Sequence, residues 1–103
     1  MPKKIQPTHP GIILKEEFLD PLGIKRGTLA RHIGVDRSRI NEICKGNREI
    51  SADTALRLSK ALGTTARYWS NLQAHYDLEL ARDQIKHSVL LSISEMEYKS
   101  AVA

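Results

Sequence analysis

A chain of 103 residues, 41% hydrophobic and 27% charged, has room for one domain and is too apolar to be wholly disordered. Its single cysteine, Cys44, excludes an internal disulfide, and no apolar run nears the ~20 residues a membrane-spanning helix needs. The net charge of +4 is concentrated: across residues 25–48, Lys25, Arg26, Arg31, Arg37, Arg39, Lys45 and Arg48 oppose only Asp36 and Glu42, while residues 70–103 are net acidic, and a local basic patch of this kind suits a polyanionic partner.

Residues 1–8 are expected to form an N-terminal arm, with basic residues but no hydrophobic segment behind them, so a cytoplasmic protein is expected. A first helix begins at Pro10, which suits a first helical turn, and carries apolar residues at helical spacing through Leu19. Pro21 and Gly23 are expected to end it. A second helix is predicted over Arg26–Ile33, with Leu29 and Ile33 four apart on one face; Gly27 inside it costs up to ~1 kcal/mol, and Gly34 breaks it. Asp36 then caps a third helix from Arg37 to about Lys45, closed by Gly46. Ser51 caps a fourth over Ala52–Leu62, stopped by Gly63, and Thr65 caps a long fifth from Ala66 to about residue 86. Residues 87–103 form a short C-terminal tail, whose stretch 88–94 reads as a strand or as disordered. The fold expected is all-α, a five-helix domain over residues 9–86.

Spacing carries the functional reading. Two helices joined by a tight turn cross steeply only if the crossing holds a small residue, here Ala30, and the turn needs a residue tolerant of a left-handed backbone, here Gly34. The inward positions are apolar: Leu29, Ile33, Val35, Ile40 and Ile43. Together these fill the helix-turn-helix register over residues 26–45 with no position missed. With Ile40 and Ile43 turned inward, Arg37, Ser38, Asn41 and partly Glu42 face outward, where the N-terminal part of a recognition helix meets base edges. Arginine matches guanine O6 and N7, asparagine matches adenine N6 and N7, and Glu42 can accept from cytosine N4, orient an arginine, or remain a solvated acid. Arg26, Thr28, Arg39, Lys45, Asn47 and Arg48 are the candidate phosphate contacts.

The stretch from His9 to about Leu80 resembles the HigA family of type II antitoxins, within the Xre group of helix-turn-helix regulators. The likeness is carried by His9-Pro10-Gly11, Leu14-Lys15-Glu16-Glu17-Phe18-Leu19-Asp20-Pro21-Leu22-Gly23, Arg37-Ser38-Arg39-Ile40-Asn41-Glu42-Ile43, Ile50-Ser51-Ala52-Asp53-Thr54-Ala55-Leu56-Arg57-Leu58, Ala61-Leu62-Gly63-Thr64-Thr65, Tyr68-Trp69-Ser70-Asn71-Leu72-Gln73 and Tyr76-Asp77-Leu78. Ala66 stands where members usually carry proline. The resemblance implies a lambda-repressor-like fold and a homodimeric repressor of a palindromic operator in its own promoter, nucleoid-associated in a prokaryotic cytoplasm. It also implies a HigB-like toxin partner, an mRNA endonuclease of the RelE fold blocked by complex formation.

No enzyme, cofactor or metal reading is supported, because His9, His32, His75 and His87 lack ligand partners at metal spacing and no glycine-rich phosphate loop follows a strand. His32 reads as an exposed helix residue and Cys44 as a half-buried structural thiol. Trp69, Leu72, Tyr76 and Leu80 form a stripe expected to pack on the core, whereas Leu78, Ala81 and Ile85 lie elsewhere round the helix and are the dimer candidates. Three hypotheses follow: an antitoxin-type repressor, a free-standing Xre-type regulator without a toxin, and a protein-binding helical module that has lost its DNA contacts.

Overall fold

The computed structural model describes residues 7–97. Most of the expected arm, and residues 98–103 of the tail, lie outside the described residues. Helix α1 covers residues 10–22 in three contiguous stretches: α-helical Pro10–Ile13, π-helical Leu14–Leu19 and α-helical Asp20–Leu22. Pro10 occupies the first turn, and the ring of His9 caps it, Nδ1 accepting from the Gly11 N–H at 2.8 Å. Pro21 does not end this helix as expected. In a regular α-helix its ring would strike the carbonyl one turn back, and the wider π turn, in which Asp20 N–H donates to the Lys15 carbonyl, makes room for it.

The remaining helices are α2 Arg26–Ile33, α3 Arg37–Cys44, α4 Ala52–Leu62, α5 Ala66–Gln84 and α6 His87–Ser92. Ser51 and Thr65 cap α4 and α5 through their hydroxyls, which accept from Thr54 N–H and Tyr68 N–H. α5 starts where expected with Ala66 in place of proline. Asp36 has the extended backbone of an N-cap but makes no side-chain capping bond. Most of the stretch at 88–94, expected as a strand or disordered, is instead helical: residues 88–92 lie in α6, and 93–94 follow it without regular structure. A strand needs a neighbour to complete its hydrogen bonds, and none exists among the described residues, whereas a helical turn satisfies its own, with Val89 and Leu90 N–H donating to the Lys86 carbonyl.

Three helices close in the same way. After α2, Val35 N–H reaches back to the Ala30 carbonyl at 2.9 Å and Gly34 N–H to that of Arg31 at 3.3 Å, with Gly34 left-handed at φ 75°. The pairs Ile24–Leu19 with Gly23–Asp20, and Asn47–Glu42 with Gly46–Ile43, repeat this pattern after α1 and α3. Such closures bring together the side chains of the two residues that flank the loop, five apart in sequence. In the first two the pairs are apolar, Leu19 with Ile24 and Ala30 with Val35. In the third they are Glu42 and Asn47.

The core gathers Leu14, Leu19, Leu29, Ala30, Ile33, Ile40, Ile43, Cys44, Ile50, Ala55, Leu58 and Trp69, all buried. Val35 is half-buried, on the rim of the turn, rather than inside. Cys44 is fully inside, not half-buried, and burial pushes its thiol pKa up. Trp69 has no exposed surface; its Nε1 donates to Thr64 Oγ1 at 2.7 Å and its ring lies 5.1 Å from that of Phe18. Leu72 packs on the same core, so the stripe on α5 faces inward as expected at these positions.

The opposite face of α5 is bare. At 3.6 residues per turn Leu78, Ala81 and Ile85 fall together on the side away from Trp69, Gln73 and Tyr76, and all three are exposed. Val89, Leu90, Leu91, Ile93 and Met96 continue the apolar surface through α6 and beyond it. The radius of gyration is 17.9 Å, well above the ~13 Å of a compact domain of this length. The end of α5 and α6 stand off the domain as an arm.

Candidate nucleic-acid interface

Helix α3 buries Ile40, Ile43 and Cys44. The helical period then places Ser38, Asn41, Glu42 and Lys45 on the crown facing away, with Arg37 on the flank towards α2 and Arg39 on the flank towards α4. Ser38 and Lys45 are exposed, and Asn41 and Glu42 half-buried. The recognition residues expected on the outer face are therefore there, with the two arginines at its edges rather than at its centre.

Arg37 is exposed and lies over Gly27: a β-carbon at 27 would sit 3.5 Å from both its Cδ and its Nε. The glycine that weakens α2 as a helix leaves the space in which this arginine rests. Arg37 and Asn41 border an open groove together with Arg26, Thr28 and Lys25 at the start of α2, whose N-terminus has no side-chain cap. Arg26, Thr28, Arg37 and Asn41 thus line one groove, whose lining also carries apolar side chains such as Ile24 and Val35, and Lys45 and Arg48 are exposed beyond the other end of α3.

Arg39, Glu42 and Asn47, all candidate contact residues, also have partners within the chain. Asn47 Nδ2 donates to Glu42 Oε2 at 3.1 Å, a consequence of the closure that ends α3, so Glu42 is held by an amide rather than solvated alone or orienting an arginine. Arg39 does not project outward: its Nη1 donates to Asp53 Oδ2 at 3.1 Å, in the first turn of α4. The same oxygen accepts from Arg57 Nε at 3.0 Å, and Arg57 Nη1 reaches the Ile33 carbonyl at 2.7 Å, at the end of α2. The hydrogen bond from Arg57 is the main cause that holds the Asp53 carboxyl below its usual pKa; burial opposes it, and the hydrogen bond from Arg39 lowers it by a smaller amount.

Four positioning residues escape a reading based on spacing. Arg57 and Asp53 tie α4 to the helix-turn-helix corner. Gln73 of α5 is buried; its Oε1 accepts from Ile50 N–H at 2.8 Å and its Nε2 donates to Asp77 at 2.9 Å, anchoring the end of the loop that carries Lys45, Asn47 and Arg48. His9 is buried edge-on to Tyr76, ring centroids 4.9 Å apart, and burial lowers its pKa against the pull of Asp77. Gly11 beside it approaches the end of α3 so closely that any β-carbon there would run into the Ile43 carbonyl. The repeated glycine-centred closure was a signal for the Glu42–Asn47 pair, and Asp53–Arg57 and Gln73–Asp77 are one helical turn apart; the contacts Arg39–Asp53, Arg57–Ile33, Gln73–Ile50 and His9–Tyr76 join residues too far apart in sequence for periodicity to register.

Among the described residues no group of three His, Cys, Asp or Glu side chains is placed to hold a metal, and no helix is long and apolar enough to cross a membrane. A helix-turn-helix family model matches residues 14–69. Virulence-associated protein I of Dichelobacter nodosus is 48% identical over 85 residues, 82% of this chain and 78% of that protein. Antitoxin HigA-1 of Vibrio cholerae is 39% identical over 75 residues, 73% of this chain and 70% of that one. The solved structure of Pseudomonas aeruginosa antitoxin HigA with higBA promoter superposes with a TM-score of 0.84 at 37% identity, covering 88% of this chain and 99% of that one.

Proposed function

From the premise that the chain belongs to the Xre-type helix-turn-helix family, in its HigA-like antitoxin group, a family of DNA-binding regulators and not of enzymes, we propose that it is a repressor that reads a palindromic operator in its own promoter and neutralises a toxin by binding it. The carrying observation is the crown of α3. Ile40 and Ile43 have no exposed surface, which orients Ser38 and Asn41 outward with Arg37 at their edge. Arg37, Ser38, Asn41 and Glu42 meet base edges; Arg26, Thr28, Arg39, Lys45, Asn47 and Arg48 meet phosphates.

A palindrome requires two recognition helices about 34 Å apart, hence two copies. The bare face of Leu78, Ala81 and Ile85, continued by α6, supports a homodimer joined through this arm. The toxin is a HigB-like mRNA endonuclease of the RelE fold, and the pair acts in a prokaryotic cytoplasm, at the nucleoid. That part rests on the family likeness.

Footprinting on the chain's own promoter tests the reading. The parent protein protects a palindrome, and Arg37→Ala with Asn41→Ala abolishes protection, each lost base contact costing about 1–3 kcal/mol. Undiminished protection by the double variant refutes the assignment. Co-expression with the adjacent reading frame separates an antitoxin, which co-purifies with its neighbour, from a free-standing regulator, which does not.

A further inference from the structure

We propose that Asp53 is an internal competitor for backbone phosphate: it holds Arg39 in the unbound protein and surrenders it to the duplex on binding. This rests on the DNA-binding reading above. Arg39 stands one residue beyond Ser38, at the edge of the face that meets DNA, yet its guanidinium is turned to Asp53. Both partners are partly exposed, with side-chain exposures of 28% and 57%, and an ion pair of this kind in water is weak and readily exchanged.

The geometry makes the exchange tolerable for the fold. When Arg39 leaves, Asp53 keeps Arg57 on the same oxygen at 3.0 Å, so no carboxylate is stranded. Arg57 in turn keeps its bond to the Ile33 carbonyl at 2.7 Å, so the corner between α2 and α3 stays closed. A phosphate offers the guanidinium a full negative charge without a rival arginine on the same atom. Asp53 also gives the interface a threshold, since only an anion that outcompetes it captures Arg39.

Fluorescence anisotropy with a short random-sequence duplex across a salt series tests this, because phosphate contacts do not depend on sequence. Arg39→Gln is expected to lower the slope of log K against log[salt] by about 0.9, the value of one phosphate contact. Asp53→Asn is expected to tighten binding by roughly two- to fivefold, the range of an exposed ion pair, with its slope unchanged. In the double variant that gain disappears. An unchanged slope in Arg39→Gln overturns the proposal, because Arg39 then stays with Asp53 in the complex. A steeper slope in Asp53→Asn, or a gain that persists in the double variant, overturns it too, the latter reporting general charge alone. Failure of the parent protein to bind any duplex refutes the DNA-binding reading itself. Circular dichroism melts of each variant identify loss of fold.

Discussion

Replacing Gln73 by methionine removes the buried hydrogen bond that holds the recognition unit to the rest of the domain, together with the bond from Gln73 to the exposed Asp77. Methionine is close to glutamine in length and volume, so the substitution opens little cavity, but it removes the acceptor of the Ile50 N–H. That N–H belongs to a residue with 3% of its surface exposed and lies at the end of the loop after α3. Leaving a buried donor unpaired costs about 1–3 kcal/mol. At roughly 4–8 °C per kcal/mol for a domain of this size, the melting temperature should fall by about 10 °C. Gln73→Glu keeps the acceptor for Ile50 but sets a second carboxylate against Asp77, which Gln73 now serves as donor. Its destabilisation should therefore be larger at pH 7 than at pH 5, where protonation relieves the repulsion. The assays are thermal melts at fixed protomer concentration and hydrogen exchange at the Ile50 amide, expected to be much faster in Gln73→Met. A methionine variant that melts with the parent, with unchanged Ile50 exchange, would refute the reasoning.

Gly11→Ala adds a single methyl where the Ile43 carbonyl already stands, and is expected to yield no soluble folded protein, whereas Gly27→Ala, which meets only ordinary contacts with Arg37, folds at least as well as the parent; solubility and melting compare them. His9 has its folded pKa depressed by burial, so its contribution to stability is fully present above the unfolded value near 6.5 and is lost as pH falls through the lower folded value. Chemical denaturation at stepped pH should show that loss in the parent and a flatter profile in His9→Ser, which retains a capping oxygen. Leu78→Glu with Ile85→Glu should convert the protein to a monomer in sedimentation equilibrium without lowering its helix content, since both side chains are exposed within one chain. A dimer that survives the pair of acids places the interface elsewhere.

Much of the fold was legible in the sequence because its punctuation is local. Ser51 and Thr65 cap through bonds three residues long, and Gly34 and Gly63 stop helices where the backbone turns left-handed, so α2, α4 and the start of α5 fell at their expected places. Period alone identified Ile40 and Ile43 as inward, and hence the outward crown. It did not indicate partners. A helical period gives the angle at which Arg39 leaves α3, but Asp53 is fourteen residues away and waits on a helix whose packing the period does not encode. Gln73 and Ile50, and Arg57 and Ile33, are separated by still longer intervals. The π turn was hidden for another reason: Pro21 marks a break in any local rule, and only the widened turn around it keeps the helix running to Leu22.

The close approach of Gly11 to Ile43, and the hold of Arg57 on the carbonyls of the corner, are both contacts to main chain and are blind to which side chains α3 displays. The helix is in effect a cassette seated on a fixed socket. On the proposed reading, duplicated copies of such a protein can drift to new operators by exchanging positions 37, 38 and 41, so long as 40, 43 and 44 stay apolar. Position 42 is less free, because whatever replaces Glu42 inherits Asn47 as its neighbour, and the two must change in step.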